Sequence, residues 1–211
     1  MRYLIFILAA LIIGCNSTPR LWPDGEIPFV PVGFDADTLR QLEKNMLAWE
    51  FASRGRVKFI NKLYHPNYEN RDGIDTLLIL RMHTEGDKSA SVSYGYNNNM
   101  IAFIDWFAED RAMLHELGHV VGLPHEHQRP DRDLYIKVDT SGVGIKIIAQ
   151  MIYEESNTYN YREYLYDIKS IMHYDVIDSG GAIVAPNDCG GETISPIDAI
   201  KVFDMYDNPG L

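Results

Sequence analysis

The chain has 211 residues, of which 46% are apolar and 23% are charged, proportions that are ordinary for a globular protein. This length allows one domain with a sizeable core, or two small lobes that share a cleft. The formal net charge of −11 argues against nucleic acid and an anionic membrane surface as partners, because both would repel the chain.

The amino-terminal residues have the composition of an export signal. Arg2 carries one positive charge and precedes an unbroken apolar run over 3–13, which is too short to span a bilayer. Gly14 and Cys15 follow this run in the order of a bacterial lipobox, where the cysteine is lipidated and becomes the mature amino terminus. The alternative is an ordinary secretory signal that is cleaved nearby.

These features divide the chain into three parts. We predict an export signal over 1–14, a lipidated Cys15 with a short tether over 15–21, and one folded domain over 22–211. We therefore expect an exported protein that a lipid on Cys15 holds in a bacterial cell envelope, with the outer membrane favoured. Cys189 is then the remaining cysteine, so the domain has no internal disulfide and relies on its core.

Apolar periodicity and turn residues predict the elements of the domain in chain order. They are an extended segment over 22–29, a helix from Asp37 as N-cap to Gly55, strands over 57–61, 76–82 and 99–104, a helix from Asp105 to Gly122, and a last helix capped by Ser195 with Pro196 first. Regular structure is sparse between the last two helices. The pattern predicts an α+β domain of two lobes, with the helix that ends at Gly122 at the divide.

The second and the last of these helices each have an apolar face. Leu114, Leu117 and Val121 lie at helical spacing and predict a stripe that faces the core. In the last helix, the residues predicted to face inward are Ile197, Ile200 and Phe203.

Residues 115–125, HELGHVVGLPH, concentrate three of the seven histidines. His115 and His119 are four residues apart, so they lie one above the other on one helix face and can bind one ion. Gly122 can end the helix in a left-handed conformation, and the chain can then turn so that His125 reaches the same ion. The alternative is a polar helix end that happens to be rich in imidazole. Three ligands with one open position are what a catalytic zinc needs, so the spacing favours a zinc site.

Glu116 follows the first of these histidines directly. It therefore projects to the side of the ligand face, where it can reach a water molecule on the metal and not the metal itself. A carboxylate in that position can accept a proton from the water.

The longer segment 115–133, HELGHVVGLPHEHQRPDRD, resembles the active-site signature of the astacin family of zinc metallopeptidases in the metzincin clan. Three further segments resemble that family: LWPDGEIPF at the start of the domain, YDIKSIMHY over 166–174, which corresponds to the Met-turn, and ISPIDAIKVFDMY over 194–206. The resemblance covers nearly everything from Trp22 to Tyr206.

The resemblance implies a fold, a cofactor and roles for named residues. The fold is a zincin-like or metzincin-like two-lobed catalytic domain, with a small mixed sheet and the active-site helix in the amino-terminal lobe and a loop-rich carboxyl-terminal lobe with a terminal helix. The cofactor is Zn²⁺, bound by the three histidines. Met172 would form a floor beneath the zinc, and Tyr174 would bind zinc at rest and swing to stabilise the oxyanion during catalysis. The substrate would lie along an edge strand within 89–97.

The function implied is a zinc-dependent endopeptidase that hydrolyses peptide bonds in extracytoplasmic proteins or peptides, with Glu116 as general base. We expect a monomer that acts on a protein or peptide substrate. Two alternatives stay open: an inactive zinc-bearing binding module, and a zinc hydrolase for another amide bond, such as a cell-wall peptide cross-link. The presence of both Glu116 and Tyr174 argues against the inactive module.

The chain also departs from the family. Secreted astacins have disulfides and a propeptide that blocks the zinc, and we expect neither here. In the family a freed terminal amine is buried against the glutamate that corresponds to Glu126. If Cys15 is lipidated and precedes Trp22, no free amine is available to Glu126. We therefore expect an internal arginine or lysine, or a hydrogen-bond network, to hold Glu126. The four remaining histidines are predicted to be structural or exposed: His65, His83, His127 and His173.

Overall fold

The computed structural model describes residues 21–67, 69, 76–82, 95–96, 101–105, 109–153 and 163–207. The predicted export signal and nearly all of the tether lie outside these residues. The helices and strands are β1 (Glu26–Val32), α1 (Ala36–Ala52), β2 (Lys58–Asn61), β3 (Leu77–Met82), β4 (Ile101–Asp105), α2 (Asp110–Val120), β5 (Lys137–Val138), α3 (Ile145–Gln150), β6 (Ile183–Ala185) and α4 (Pro196–Asp207). Short 3-10 turns occupy Pro23–Gly25, Glu126–Gln128 and Arg132–Leu134.

The first four strands form one sheet in the order β2-β1-β3-β4, and each neighbouring pair is parallel. The three strands predicted from apolar runs are confirmed to within two residues. The sheet was expected to be mixed, and its four described strands all run parallel. The edge strand predicted within 89–97 lies outside the described residues, except for Gly95 and Tyr96.

Helix α1 has its N-cap two residues earlier than predicted. Asp35 is the N-cap, and its Oδ1 accepts hydrogen bonds from the backbone N–H groups of Asp37 and Thr38 at 3.1 and 2.9 Å. The prediction of Asp37 as N-cap was therefore wrong, because Asp37 is one of the residues whose N–H needs an acceptor. Gly55 closes the helix as predicted: it has φ +76° and its N–H donates to Glu50 O at 2.8 Å.

Helix α2 is anchored in the core by two tryptophans. The indole N–H of Trp49, on α1, donates to Leu114 O at 2.9 Å, and that of Trp22 donates to Val120 O at 2.9 Å. The predicted stripe of Leu114, Leu117 and Val121 is buried. The helix starts at Asp110, five residues later than predicted, because β4 continues to Asp105. The two indole hydrogen bonds thereby fix the orientation of the neighbouring face of α2, which carries His115 and His119.

The carboxyl-terminal lobe has its own small core around Ile136, Tyr166 and Ile183, beside the β5–β6 ribbon. This second core confirms the two-lobed architecture. Among the described residues, no helix is both long enough and apolar enough to span a membrane.

Helix α4 has the predicted cap and a different inward face. The Ser195 hydroxyl accepts a hydrogen bond from the N–H of Asp198 at 2.9 Å, which confirms the cap. The buried residues of the helix are Asp198, Lys201, Val202 and Met205. The prediction that Ile200 faces inward was wrong, since 48% of it is exposed. Two polar side chains occupy the inner face because each has a buried partner: Lys201 pairs with Glu126, and Asp198 accepts a hydrogen bond from the hydroxyl of Ser170.

Candidate active site

Three histidines converge at the end of α2. His115 and His119 lie on one face of the helix, and Gly122, with φ +105°, ends it so that the chain can return with His125. The Nε2 atom of His125 lies 3.1 Å from Nε2 of His119 and 3.1 Å from Nε2 of His115. The ligand set predicted from spacing is thus brought together within the described residues.

The other ring nitrogen of each histidine faces an oxygen. Nδ1 of His115 lies 2.7 Å from Ile171 O, Nδ1 of His119 lies 2.8 Å from Leu123 O, and Nδ1 of His125 lies 2.8 Å from Oε1 of Gln128. Since these oxygens are acceptors, each Nδ1 carries the proton and each Nε2 presents a lone pair. Burial also lowers the pKa of all three rings, to about 4 for His115 and about 3 for His125, so they are neutral near pH 7.

This donor set fits zinc. Nitrogens bound at 2.0–2.1 Å in a tetrahedral array lie about 3.3 Å apart, close to the observed separations of 3.1 Å. Three acceptor nitrogens that face one another repel unless a cation lies among them. Each ring is also oriented by a hydrogen bond from its outer nitrogen, as is usual for histidines that bind metals.

Glu116 is half-buried beside the ligand face. Desolvation raises the pKa of its carboxyl group to about 8. Because a nearby dication favours the carboxylate form, bound zinc would lower this pKa again. Desolvation and a bound cation therefore act on the pKa of Glu116 in opposite directions.

Met172 and Tyr174 both lie beside the segments that carry the three histidines. Met172 is 1% exposed and packs so closely on α2 that a Cβ on Gly118 would lie 2.3 Å from its Sδ. The ring of Tyr174 lies 4.8 Å from that of His125 and 5.8 Å from that of His115, measured between centroids. Burial, with smaller contributions from the carboxylates of Glu116 and Asp178, raises the pKa of the phenol, so it stays protonated and can donate a hydrogen bond.

Glu126, the residue after the third ligand, is held by two internal cations. Its Oε2 lies 2.6 Å from Nζ of Lys201, and its Oε1 accepts from Nη1 of Arg129 at 2.9 Å. Oε1 also accepts from the N–H of Asp167 at 2.9 Å. The expectation that an internal arginine or lysine holds Glu126 is confirmed. The backbone N–H of Glu126 donates to Met172 O at 3.0 Å, so this residue joins the ligand segment to the Met-turn.

Two further histidines lie at the site and were not predicted as part of it. His127 and His173 are each 0% exposed, and both contact Tyr174. In the sequence, only the proximity of His127 to His125 and of His173 to Tyr174 pointed to them.

The structure is an α+β domain with two cores, in which three converging histidines and an adjacent glutamate form a site of the kind found in zinc hydrolases. The comparisons with known proteins narrow this class. The family model described as Astacin, a peptidase family, matches residues 15–187. The chain is 48% identical to zinc metalloproteinase nas-12 of Caenorhabditis elegans over 68 residues, which are 31% of this chain and 17% of that protein.

The match to human tolloid-like protein 1 is longer, with 28% identity over 160 residues, 75% of this chain and 15% of the relative. Both relatives are therefore far longer than the region they share with this chain. Among solved structures, high choriolytic enzyme 1, a hatching enzyme zinc-protease from the medaka Oryzias latipes, superposes with a TM-score of 0.67 at 18% identity, over 92% of this chain and 98% of that one. The chain belongs to the astacin family, a family of peptidases.

Proposed function

We propose that this chain is an endopeptidase that cleaves internal peptide bonds with zinc bound by His115, His119 and His125. The observation that carries the proposal is the convergence of three Nε2 lone pairs, each fixed by a hydrogen bond on the opposite side of its ring. Zinc in this position would polarise a peptide carbonyl and acidify a water molecule.

Two side chains beside the ligands supply the rest of the chemistry. Glu116 takes the proton of the attacking water and returns it to the amine that leaves. The phenol of Tyr174 stays protonated and donates a hydrogen bond to the oxygen that becomes negative as the carbonyl carbon turns tetrahedral. Both groups are half-buried, and partial removal from water strengthens each interaction.

The test is cleavage of unfolded casein by the full chain, kept in a mild detergent because of its apolar amino-terminal run, with zinc measured on the same sample. We expect one zinc per chain and cleavage that Glu116→Ala abolishes. Glu163→Ala, which removes an exposed glutamate of the same chain, is the matched control and should cleave normally. A folded protein without bound zinc would refute the ligand assignment, and one zinc without cleavage would favour a binding module.

We further propose that the protein is exported and attached to a bacterial membrane by lipid on Cys15, so that its substrates are extracytoplasmic. Support comes from the charge at Arg2, the apolar run over 3–13 and the position of Gly14 before the cysteine. Expression in a bacterial host with Cys15→Ser as the comparison tests it. We expect the membrane fraction to contain the parent protein with a lipid-modified Cys15, and Cys15→Ser to lose both the modification and the membrane association.

A further inference from the structure

Both backbone polar groups of Tyr174 are bonded to buried histidines. The N–H of Tyr174 donates to Nδ1 of His127 at 3.3 Å, and Nδ1 of His173 donates to Tyr174 O at 2.6 Å. The two imidazoles must therefore be opposite neutral tautomers, with the proton on Nε2 in His127 and on Nδ1 in His173. The peptide groups on both sides of the tyrosine are thereby fixed.

His127 also supports the phenol ring. Its imidazole is stacked on the ring of Tyr174, with centroids 4.2 Å apart and an angle of 27° between the planes. Its side chain thus contacts the tyrosine in two ways: through a hydrogen bond to the backbone and through a flat surface under the ring. Such stacked aromatic contacts stabilise one orientation of a side chain over others.

The position of His127 is itself fixed by residues outside the zinc site. Nε2 of His127 donates to Gln150 O, at the end of α3, at 3.2 Å. The carbonyl of His127 accepts from Nη1 of Arg132 at 3.0 Å. A ring that is 0% exposed and bonded at both nitrogens cannot rotate without losing a hydrogen bond in the protein interior.

We propose that His127 is a positioning residue for Tyr174, which holds its backbone still and offers a flat surface over which the phenol turns toward the substrate oxygen. This inference rests on the role of Tyr174 in the proposed function. His127 is 0% exposed, so it is not accessible to substrate or water and would act on the reaction through its neighbours, of which the ring of Tyr174 lies closer at 4.2 Å than that of His125 at 4.9 Å. Geometry of this kind matters because small displacements of a catalytic donor cost large factors in rate.

Two substitutions separate the two contacts. His127→Phe keeps a flat ring under the phenol and removes the acceptor for the N–H of Tyr174. His127→Asn keeps an acceptor near the position of Nδ1 and removes the ring. Each substitution is made in the full chain, once with Tyr174 present and once together with Tyr174→Phe. We measure kcat and KM with a casein-derived peptide, and zinc per chain and melting temperature on the same samples. His65→Asn, an exposed histidine after β2, is the control.

With Tyr174 present, we expect His127→Phe and His127→Asn each to lower kcat about tenfold with KM and zinc content unchanged. In the Tyr174→Phe background we expect neither to lower kcat by more than about twofold, because the group through which they act has lost its hydroxyl. Should one variant fail to fold, the other carries the test.

Four results would overturn the inference. Equal losses in both backgrounds would mean that His127 acts through the fold or the metal, and loss of zinc would mean that it acts through His125. Full activity of both His127 variants would show that Tyr174 needs no such support. Full activity of Tyr174→Phe alone would refute the proposed role of Tyr174, and the inference with it, while the role of the zinc ligands and Glu116 would stand.

Discussion

The ammonium group of Lys201 lies 2.6 Å from the Oε2 atom of Glu126, and the two side chains are 8% and 3% exposed. This pair joins α4 to the segment that carries the third metal ligand, across 75 positions of the chain. Arg129 supplies a second cation to the same carboxylate at 2.9 Å. A buried carboxylate is stable as an anion only when it is paired in this way.

Lys201→Met should therefore destabilise the fold by about 3 kcal/mol, the lower end of the range for breaking a buried ion pair, because Arg129 remains in contact with Glu126. Urea unfolding with excess zinc measures the change. The double variant Lys201→Met/Glu126→Gln should recover part of the loss, because the excess negative charge is removed and Arg129 keeps its ion pair with Asp131. Lys44→Met, which breaks an exposed ion pair with Asp110, is the control and should cost about 1 kcal/mol or less.

Glu126→Gln alone tests the same ion pair by removal of the carboxylate. It leaves the two cations, Arg129 and Lys201, without the carboxylate between them, so both melting temperature and casein cleavage should fall. An unchanged melting temperature together with unchanged activity would contradict any structural role for Glu126.

A second polar residue of α4, Asp198, is connected to the first metal ligand, His115, through the backbone of Ile171. Asp198 Oδ2 accepts from the N–H of Ile171 at 2.9 Å, and the carbonyl of Ile171 accepts from Nδ1 of His115 at 2.7 Å. Oδ1 of Asp198 accepts from the hydroxyl of Ser170 at 2.6 Å. The carboxylate therefore fixes the Met-turn segment that orients His115.

Asp198→Ala should leave three buried donors without an acceptor, the N–H groups of Ile171 and Ser195 and the hydroxyl of Ser170, and cost about 3 kcal/mol of stability. Zinc affinity should fall as well, by about tenfold, because the carbonyl that orients His115 is no longer held. Competition with a chromogenic chelator measures the affinity. Asp37→Ala, at an exposed position of α1, should change neither quantity, and an Asp198→Ala protein with parental zinc affinity would refute the connection.

The sequence predicted the convergence of the three histidines because its geometry is local. His115 and His119 are one helical turn apart, and Gly122 signals where the chain turns back toward His125, so spacing alone brings the three rings together. The strands and the cap at Ser195 were predicted for the same reason, since each depends on neighbouring residues.

The sequence could not predict contacts between distant segments, nor that the buried face of α4 is partly polar. Apolar periodicity placed Ile200 inside the protein, whereas Asp198 and Lys201 are buried there because the Met-turn and Glu126 provide partners. The stacking of His127 on Tyr174 joins positions 47 residues apart, and no spacing rule connects them. Such pairs follow from tertiary packing, which periodicity does not encode.

Removal of zinc should weaken the fold as well as abolish cleavage, because the three Nε2 lone pairs then face one another without a cation. Above the dissociation constant, each tenfold rise in free zinc should add about 1.4 kcal/mol to the free energy of unfolding. Unfolding in zinc buffers of known free concentration measures this slope. His119→Ala should abolish the dependence of stability on zinc, and His65→Ala should retain it. If the stability of the parent protein did not change with zinc concentration, a metal site in the native state would be excluded.

Gly118 allows Met172 to approach the ligand helix. A Cβ at this position would lie 2.3 Å from Sδ of Met172 and 3.1 Å from Cζ2 of Trp49, and the indole of Trp49 is itself bonded to α2. Gly118→Ala should therefore destabilise the protein by about 2 kcal/mol through overpacking, although alanine is the better helix former. It should also lower zinc affinity, because His119 is the next residue on the displaced helix.

Gly144→Ala is the matched control, because no atom lies within 4 Å of a Cβ built there and its φ is −72°. It should change stability by less than about 1 kcal/mol, the cost of a weaker helix cap. Combining Gly118→Ala with Met172→Ala should restore zinc affinity in part, since the shorter side chain makes room for the new methyl group. If Gly118→Ala instead stabilised the protein, as propensity alone predicts, then Met172 would not pack against α2 in solution.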